Sequence, residues 1–406
     1  MTLLNPHTPG VKINELRLAP PPILGVGTGT AAFVGQSPKS GRFTGVARQV
    51  TTPDQFANDY VLADPAVPGD TNATRSTALS RAVFGFFANG GGVCYVVNTD
   101  SSAAANLVAG LTLLAPLDDV NLIAVPGTFS TAADWLAVYE ALEQQATTSR
   151  NRFAILDPPP KEADLGTLSN PLPPTGTGAR PPDSIHAAFY YPRVLVGPQV
   201  VAGRPLAGDP ASEAVSPSGH VAGVYARVDA NRGVHKAPAN EMILGVLGVE
   251  DMLTDAQQDP RNVDGVNILR VFGGNVVIWG ARTLQLATSP TRDTDYLYVN
   301  VRRLVSYIEE SLRLGLSWAV FEPNNLALQK QITRSVRDFL DGVWRDGALF
   351  GATDDEAFYV RFPEPFNRDV DRAQGKLTVE IGLRVTYPAE FIIVRIGLIF
   401  QSAATA

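Results

Sequence analysis

The clearest periodicity lies in the last quarter of the chain. Val301, Leu304, Val305, Ile308 and Leu312 recur at helical spacing, which predicts an amphipathic helix with that stripe inward. Asn300 is placed to cap its start and Gly315 follows its last turn. Glu309 stands four residues before Arg313, the spacing of a supporting ion pair. Residues 316–321 form a short apolar run that Pro323 cannot extend, and they predict a buried strand. A second helix is expected over residues 325–345. It carries Ile332, Val336, Phe339, Leu340 and Val343 on one face, Lys330, Arg334 and Arg337 on another, and Gly347 at its end. Leu377, Val379, Ile381, Leu383 and Val385 alternate with small or polar neighbours, the period of a strand with one buried face. Residues 391–400 are apolar on both faces apart from Arg395 and Gly397.

Upstream, from residue 28 to about 282, strand-like and helix-like segments alternate as in an α/β domain. Strands are expected at 31–34, 93–97, 122–125, 153–156 and 186–196. Helices are expected at 74–88, 131–146 and 217–227, the last ending before Gly233. Residues 158–182 are rich in Pro and Gly and read as a surface excursion. Residues 1–22 read as an arm, because Pro6, Pro9 and Pro20 to Pro22 prevent helix and leave residues 11–17 to pair as a strand. No internal repeat has a solenoid period.

A chain of 406 residues with 45% hydrophobic and 18% charged side chains can bury a large core and divides into two or three units. That composition excludes a mostly disordered chain. Against 40 acidic residues stand 33 Lys and Arg, a net charge of −7, with no long basic run. Nucleic acid and anionic membranes are therefore poor partners. The lone Cys94 excludes an intrachain disulfide, and its apolar neighbours place it in a buried strand. The first ten residues lack the basic start and apolar core of a signal peptide, and residues 391–400 are too short for a membrane span. The expectation is cytoplasmic assembly without direct membrane insertion.

Candidate chemistry adds little. Gly25-Val26-Gly27-Thr28-Gly29-Thr30 invites a dinucleotide reading, but the glycines precede the first strand instead of joining a strand to a helix. Ser218, His220 and Asp229 could be nominated as a hydrolase set, yet they lie close in sequence and no nucleophile-elbow motif is present. His7, His186, His220 and His235 include no metal-binding pair at helical spacing. Asp354-Asp355-Glu356 reads as a solvated acidic turn. No catalytic residue, cofactor or metal is expected.

One set of motifs goes further. Tyr298-Val299-Asn300-Val301-Arg302-Arg303-Leu304, Phe321-Glu322-Pro323-Asn324, Trp344-Arg345-Asp346-Gly347-Ala348-Leu349-Phe350-Gly351 and Pro388-Ala389-Glu390-Phe391 form a series in the last quarter. Together with the segment from Pro217 to Arg227 and with Trp279-Gly280-Ala281-Arg282-Thr283, the series resembles contractile tail sheath proteins. The pattern is closer to sheaths of extracellular phage-tail-like contractile injection systems. The resemblance implies an α/β (α+β) fold, with an outer α/β sandwich domain, an inner α+β domain and extended β arms at both ends. Its boundaries would be 1–22 for the N-terminal arm, 23–290 for the outer domain, 291–388 for the tube-facing domain and 389–406 for the C-terminal arm.

It further implies a homo-oligomer of stacked hexamers around an inner tube protein, joined to baseplate and cap proteins, with no cofactor and no catalysis. Arm strands carrying Val11 and Ile13, and Phe391, Ile393, Ile396 and Leu398, would add to sheets of neighbouring subunits. Five ladder bonds and two or three buried aliphatic side chains per arm are worth near 10 kcal/mol before ordering costs. Lys330, Arg334 and Arg337 would form the inner-tube attachment. Exposed ion pairs of that kind contribute about 0 to 1 kcal/mol each, so the tube contact can release while the arms hold. Two other readings stand beside this one: a cytosolic α/β nucleotide-binding protein or enzyme using residues 25–30, and a specialised baseplate-proximal sheath ring.

Overall fold

The computed structural model describes residues 21–149, 151–161, 165–172, 178–285 and 294–391. Its strands are β1 (Ala31–Gly35), β2 (Ala47–Val50), β3 (Cys94–Asn98), β4 (Leu122–Ala124), β5 (Phe153–Leu156), β6 (Ala187–Tyr191), β7 (Val194–Val196), β8 (Val200–Val201), β9 (Arg204–Pro205), β10 (Glu213–Val215), β11 (Glu241–Met242), β12 (Gly248–Val249), β13 (Val266–Phe272), β14 (Asn275–Ile278), β15 (Phe358–Arg361) and β16 (Glu380–Leu383). The helices are α1 (Pro53–Tyr60), α2 (Ala78–Ala88), α3 (Ala104–Thr112), α4 (Ala132–Ser149), α5 (Ser218–Arg232), α6 (Asp255–Val263), α7 (Val299–Gly315), α8 (Leu326–Arg345), α9 (Asp354–Ala357) and α10 (Asp369–Ala373).

A nine-stranded sheet in the order β11-β14-β13-β6-β5-β4-β1-β3-β2 forms the larger unit. Its six central strands are parallel, and antiparallel strands close both edges. Parallel strands joined by helices are covered on both faces, so their sequences run nearly continuously apolar. Phe33, Val96, Ile155 and Tyr190 face one core with Leu79, Val83 and Phe86 of α2 and Val221, Val224 and Tyr225 of α5. Val34, Val97, Ile123 and Phe189 face the other, with residues of α3 and α4. Burial of Cys94 in β3 pushes its thiol pKa up.

The smaller unit packs α7 and α8 with β15 and β16 around a third core of Leu304, Ile308, Ile332, Val336, Leu340 and Val343. Ile23 joins this core from the chain's start, against α7 at Gly315, where an added Cβ would lie 2.6 Å from the Ile23 side chain.

The structure differs from the sequence reading at several points. Residues 316–321 are not a buried strand. They form a short 3-10 turn at Ser317–Ala319 followed by exposed Val320 and Phe321, and Phe321 has a φ of 69° that a strand does not contain. Asn300 does not cap α7; it lies inside the first turn, buried, and its amide donates to the His235 carbonyl at 2.8 Å. Glu309 pairs with Arg302 and Arg313 with Glu310, in place of a Glu309–Arg313 pair. The run 186–196 is two strands in different sheets, divided at Pro192, which has no N–H to offer a ladder. The 158–182 segment is anchored and is no mere surface excursion: Leu168, Leu172 and Ala179 join the second core, and buried Arg180 donates to the carbonyls of Asp264 and Leu284 at 2.7 Å each.

Candidate assembly surfaces

Helix α8 presents one filled face and one open face. Asn325 caps it by accepting from the Leu328 N–H at 3.0 Å, and its apolar stripe is buried as the period requires. Lys330 and Arg334, one helical repeat apart, are exposed. Arg337 lies elsewhere in function: its guanidinium donates to Asp354 at 2.7 Å and Asp355 at 2.9 Å and sits over the Phe358 ring. The hydrogen bond from Arg337 outweighs desolvation and holds the Asp354 carboxyl below its usual range. The acidic run 354–356 is thus the first turn of α9 and the partner of Arg337, and two of the three cations point outward.

Beside α8, β15 and β16 pair antiparallel from Phe358 with Leu383 to Arg361 with Glu380. Among the described residues neither strand has a second neighbour. Leu377, Val379, Ile381, Leu383 and Val385 pack on the third core yet stay half-buried. A sheet of two strands is marginal alone, and free strand edges are templates for pairing.

The two units are tied by a buried ion pair. Arg303 of α7 donates to Asp229 of α5 at 2.6 and 3.0 Å and to the Thr28 carbonyl at 3.0 Å. Thr28 Oγ1 donates to Asp229 at 2.6 Å, and the guanidinium lies 4.9 Å from the Tyr225 ring. Burial favours the neutral guanidine, but the Asp229 charge and hydrogen bonds overcome it and raise the Arg303 pKa.

Residues 25–30 belong to this joint. The Val26 N–H donates to Ser311 Oγ at 3.1 Å, and the cavity beside Gly27 and Thr28 holds about 20 Å³, space for one water. The segment enters at the amino end of β1, whereas ligand crevices of such sheets open at the carboxyl ends. The 25–30 segment thus lies at the end of the sheet opposite to the one where nucleotide crevices of such folds open.

Ser218, His220 and Asp229 do not converge. Ser218 opens α5 and Asp229 lies three turns on, a rise of about 16 Å. Ser218 donates from both N–H and Oγ to Asp157, at 2.8 and 2.6 Å, while Asp229 is held by Arg303. His220 is buried against α2 at Gly85. Burial lowers both His186 and His220 to about 4. Among the described residues no group of His, Cys, Asp and Glu is arranged for a metal, and no helix is long and apolar enough to cross a membrane.

At the chain's far end, Phe391 is 71% exposed. Val11, Ile13, Ile393, Ile396 and Leu398 lie outside the described residues. Just before Phe391, Glu390 accepts from Arg282, Asn262 and Tyr298. Those hydrogen bonds outweigh its burial and keep the carboxyl below its ordinary range. Arg282, Arg303 and Glu390 stand inside the motifs of the sequence with no role assigned to them there, and Asp229 is considered only beside Ser218 and His220. A buried pair between residues far apart in the chain leaves no local spacing to find it by.

An open two-stranded sheet and an exposed charged helix face are surfaces that a partner could cover. Residues 96–284 match the phage tail sheath protein central domain, and residues 291–399 match the phage tail sheath C-terminal domain. The chain belongs to the phage tail sheath family. It is 32% identical over 180 residues to a tail sheath protein of Burkholderia phage BcepMu, covering 43% of this chain and 36% of that one. It thus spans less than half the length of the curated relatives it matches. Solved structures match almost end to end. A sheath complex in the contracted state from PVC, an extracellular contractile injection system, is 26% identical with a TM-score of 0.75, covering 98% of this chain and 99% of that one. A chain from the six-fold symmetrised baseplate of the anti-feeding prophage is 28% identical with a TM-score of 0.72, covering 97% and 99%.

Proposed function

We propose that this chain is the subunit of a contractile sheath, polymerising as stacked hexameric rings around an inner tube and contracting to drive the tube into a target. The observation that carries this is the β15–β16 pair, whose outer edges are free among the described residues and whose apolar face is half-buried. Strands supplied by neighbouring subunits would complete it, adding main-chain bonds and filling the half-covered core. Residues 1–22 and 389–406 are the segments proposed to do so, with 23–290 as the outer and 291–388 as the inner domain. Lys330 and Arg334 are proposed to meet the tube, with Arg337 holding α9 in place behind them.

The proposed cycle uses the stored difference between two lattices. Assembly on tube and baseplate selects the extended arrangement, and triggering shifts the population to the contracted one. Baseplate and cap proteins are proposed partners, in a particle assembled in the cytoplasm. A second reading, a specialised ring at the baseplate end, is favoured by the likeness to a baseplate chain.

Negative-stain electron microscopy of the full chain expressed alone, beside a variant ending before Phe391, tests the proposal. Hollow tubes from the full chain and none from the variant are expected. Discrete rings of fixed size would favour the baseplate reading, and a monomer in both samples would overturn the proposal.

A further inference from the structure

Three side chains close on one carboxylate where the described chain ends. Glu390 Oε1 accepts from Asn262 Nδ2 at 2.7 Å and Arg282 Nε at 3.0 Å, and Oε2 accepts from Arg282 Nη2 at 2.7 Å and the Tyr298 hydroxyl at 2.9 Å. The side chains of Arg282 and Glu390 are only 11% and 20% exposed. Arg282 is itself fixed. Its Nη1 donates to the Asn262 carbonyl at 3.0 Å, its N–H donates to Asn267 Oδ1 at 2.7 Å, and its carbonyl accepts from Asn267 Nδ2 at 2.8 Å. Asn267 is fully buried within β13. Gly280 leaves room for it, since a Cβ there would come within 2.8 Å of Asn267 Oδ1.

The order of attachments along the chain gives this socket a mechanical meaning. After β16, the segment returns past Leu349 through a bridge at Val385 and a bond from the Thr386 N–H to the Ala348 carbonyl. Tension applied beyond Phe391 to an unanchored segment would break these bonds one at a time and peel β16 from β15. With Glu390 gripped, the same tension passes into Arg282, Asn267 and the nine-stranded sheet.

We propose that the Glu390 socket is the fixed root of the C-terminal arm, a positioning device that sets where the arm leaves each subunit and diverts its load from the β15–β16 pair. This rests on the reading of residues 389–406 as an inter-subunit arm. From the root, residues 392–406 reach at most about 50 Å, so a root displaced by loss of the grip changes which neighbouring sites lie within range.

Spin labels on the full chain at Val46→Cys and Phe391→Cys test it. Val46 precedes β2 at the edge of the sheet remote from β14, roughly 30 Å away at about 4.8 Å per strand. The buried Cys94 thiol leaves labelling to the introduced exposed cysteines. The parent is expected to give one narrow distance distribution. Glu390→Gln and Arg282→Met should broaden it, raise the critical concentration for tube formation by about tenfold or more, and leave the circular dichroism spectrum unchanged. Tyr298→Phe and Asn262→Ala each remove one donor and should broaden it by smaller steps, which a loss of folding would not produce. A narrow distribution in Glu390→Gln, or normal tubes despite broadening, would overturn the inference. A chain ending after Phe391 separates the two levels. If it assembles as well as the parent, the arm reading itself fails; if it does not assemble while Glu390→Gln does, only the socket fails.

Discussion

Arg303→Met tests how the two units are held together. The Arg303 and Asp229 side chains are 5% and 6% exposed, so neither charge is compensated by water. Removing the guanidinium leaves Asp229 with the Thr28 hydroxyl as its remaining donor among the bonds described. Breaking such a pair from one side costs about 3 to 5 kcal/mol, chiefly because an uncompensated charge is left in a low-dielectric interior. Asp229→Asn strands the cation instead and is expected to cost a similar amount. Asp229→Leu with Arg303→Met buries no charge, so its cost should fall well below the sum of the single changes.

Urea unfolding of the unassembled chain, followed by tryptophan fluorescence, reads both the cost and its location. Trp135 lies in α4 of the larger unit; in the smaller one Trp344 lies in α8 and Trp318 in the turn that follows α7. Indole reporters kept singly in each unit should show coincident transitions in the parent. In Arg303→Met the smaller unit should unfold at lower urea than the larger. Single substitutions costing under about 1 kcal/mol, with a double variant additive to within about 0.5 kcal/mol, would refute the reasoning.

Four further outcomes are expected. Burial raises Asp157 from an ordinary 3.8 to about 7, with hydrogen bonds from Ser218 opposing the shift. The folded state therefore holds a proton that the unfolded state has lost between about pH 4 and 7, and stability should fall as pH rises through that window. Asp157→Asn, which can accept from the Ser218 N–H and donate to its hydroxyl, should flatten the dependence of melting temperature on pH there. Gly219→Ala should destabilise by about 1 to 3 kcal/mol, measured by urea midpoint, because the new Cβ would lie 2.3 Å from the Ala82 backbone where α5 crosses α2. Phe321→Asn should leave the melting temperature of the unassembled chain unchanged or slightly higher, since Asn tolerates the left-handed backbone better. Lys330→Glu with Arg334→Glu should impair assembly on the tube without lowering melting temperature, whereas Arg337→Glu should lower melting temperature, because it faces Asp354 and Asp355.

The regular elements were legible in the sequence because their apolar periods are undisturbed. The α8 stripe at Ile332, Val336, Phe339, Leu340 and Val343 is buried as expected, and β1, β3, β4 and β5 fall within a residue of their expected bounds. Legibility failed where a residue answers to a distant partner. The apolar run 316–321 suggested burial, yet the positive φ at Phe321 turns the chain outward, and no local pattern signals that. Gly219 and Gly223 sat in a recognised motif, but their reason is the backbone of α2, reached across the sequence at Ala82 and Phe86. The triad of cations on α8 was correct as spacing and incomplete as electrostatics, because the carboxylates that hold Arg337 come from a turn seventeen residues on.

The distribution of these contacts bears on how such a subunit could pass between two lattices. An element that must keep its shape while its neighbours change needs internal ties stronger than its external ones. Arg303 with Asp229, and Glu390 with Arg282, are enclosed, multiply hydrogen-bonded and unscreened, and they join segments of different units within one chain. Lys330 and Arg334 are exposed, and any ion pair they make at a surface is worth about 0 to 1 kcal/mol and weakens with salt. The open edges of β15 and β16 would lie between these extremes under the proposed strand addition: several main-chain bonds of about 1 kcal/mol each would act together there. If the chain works as proposed, the contacts to release would be those on the exposed face of α8, those to pivot would be at the sheet edge, and those to stay closed would be at the two buried arginines.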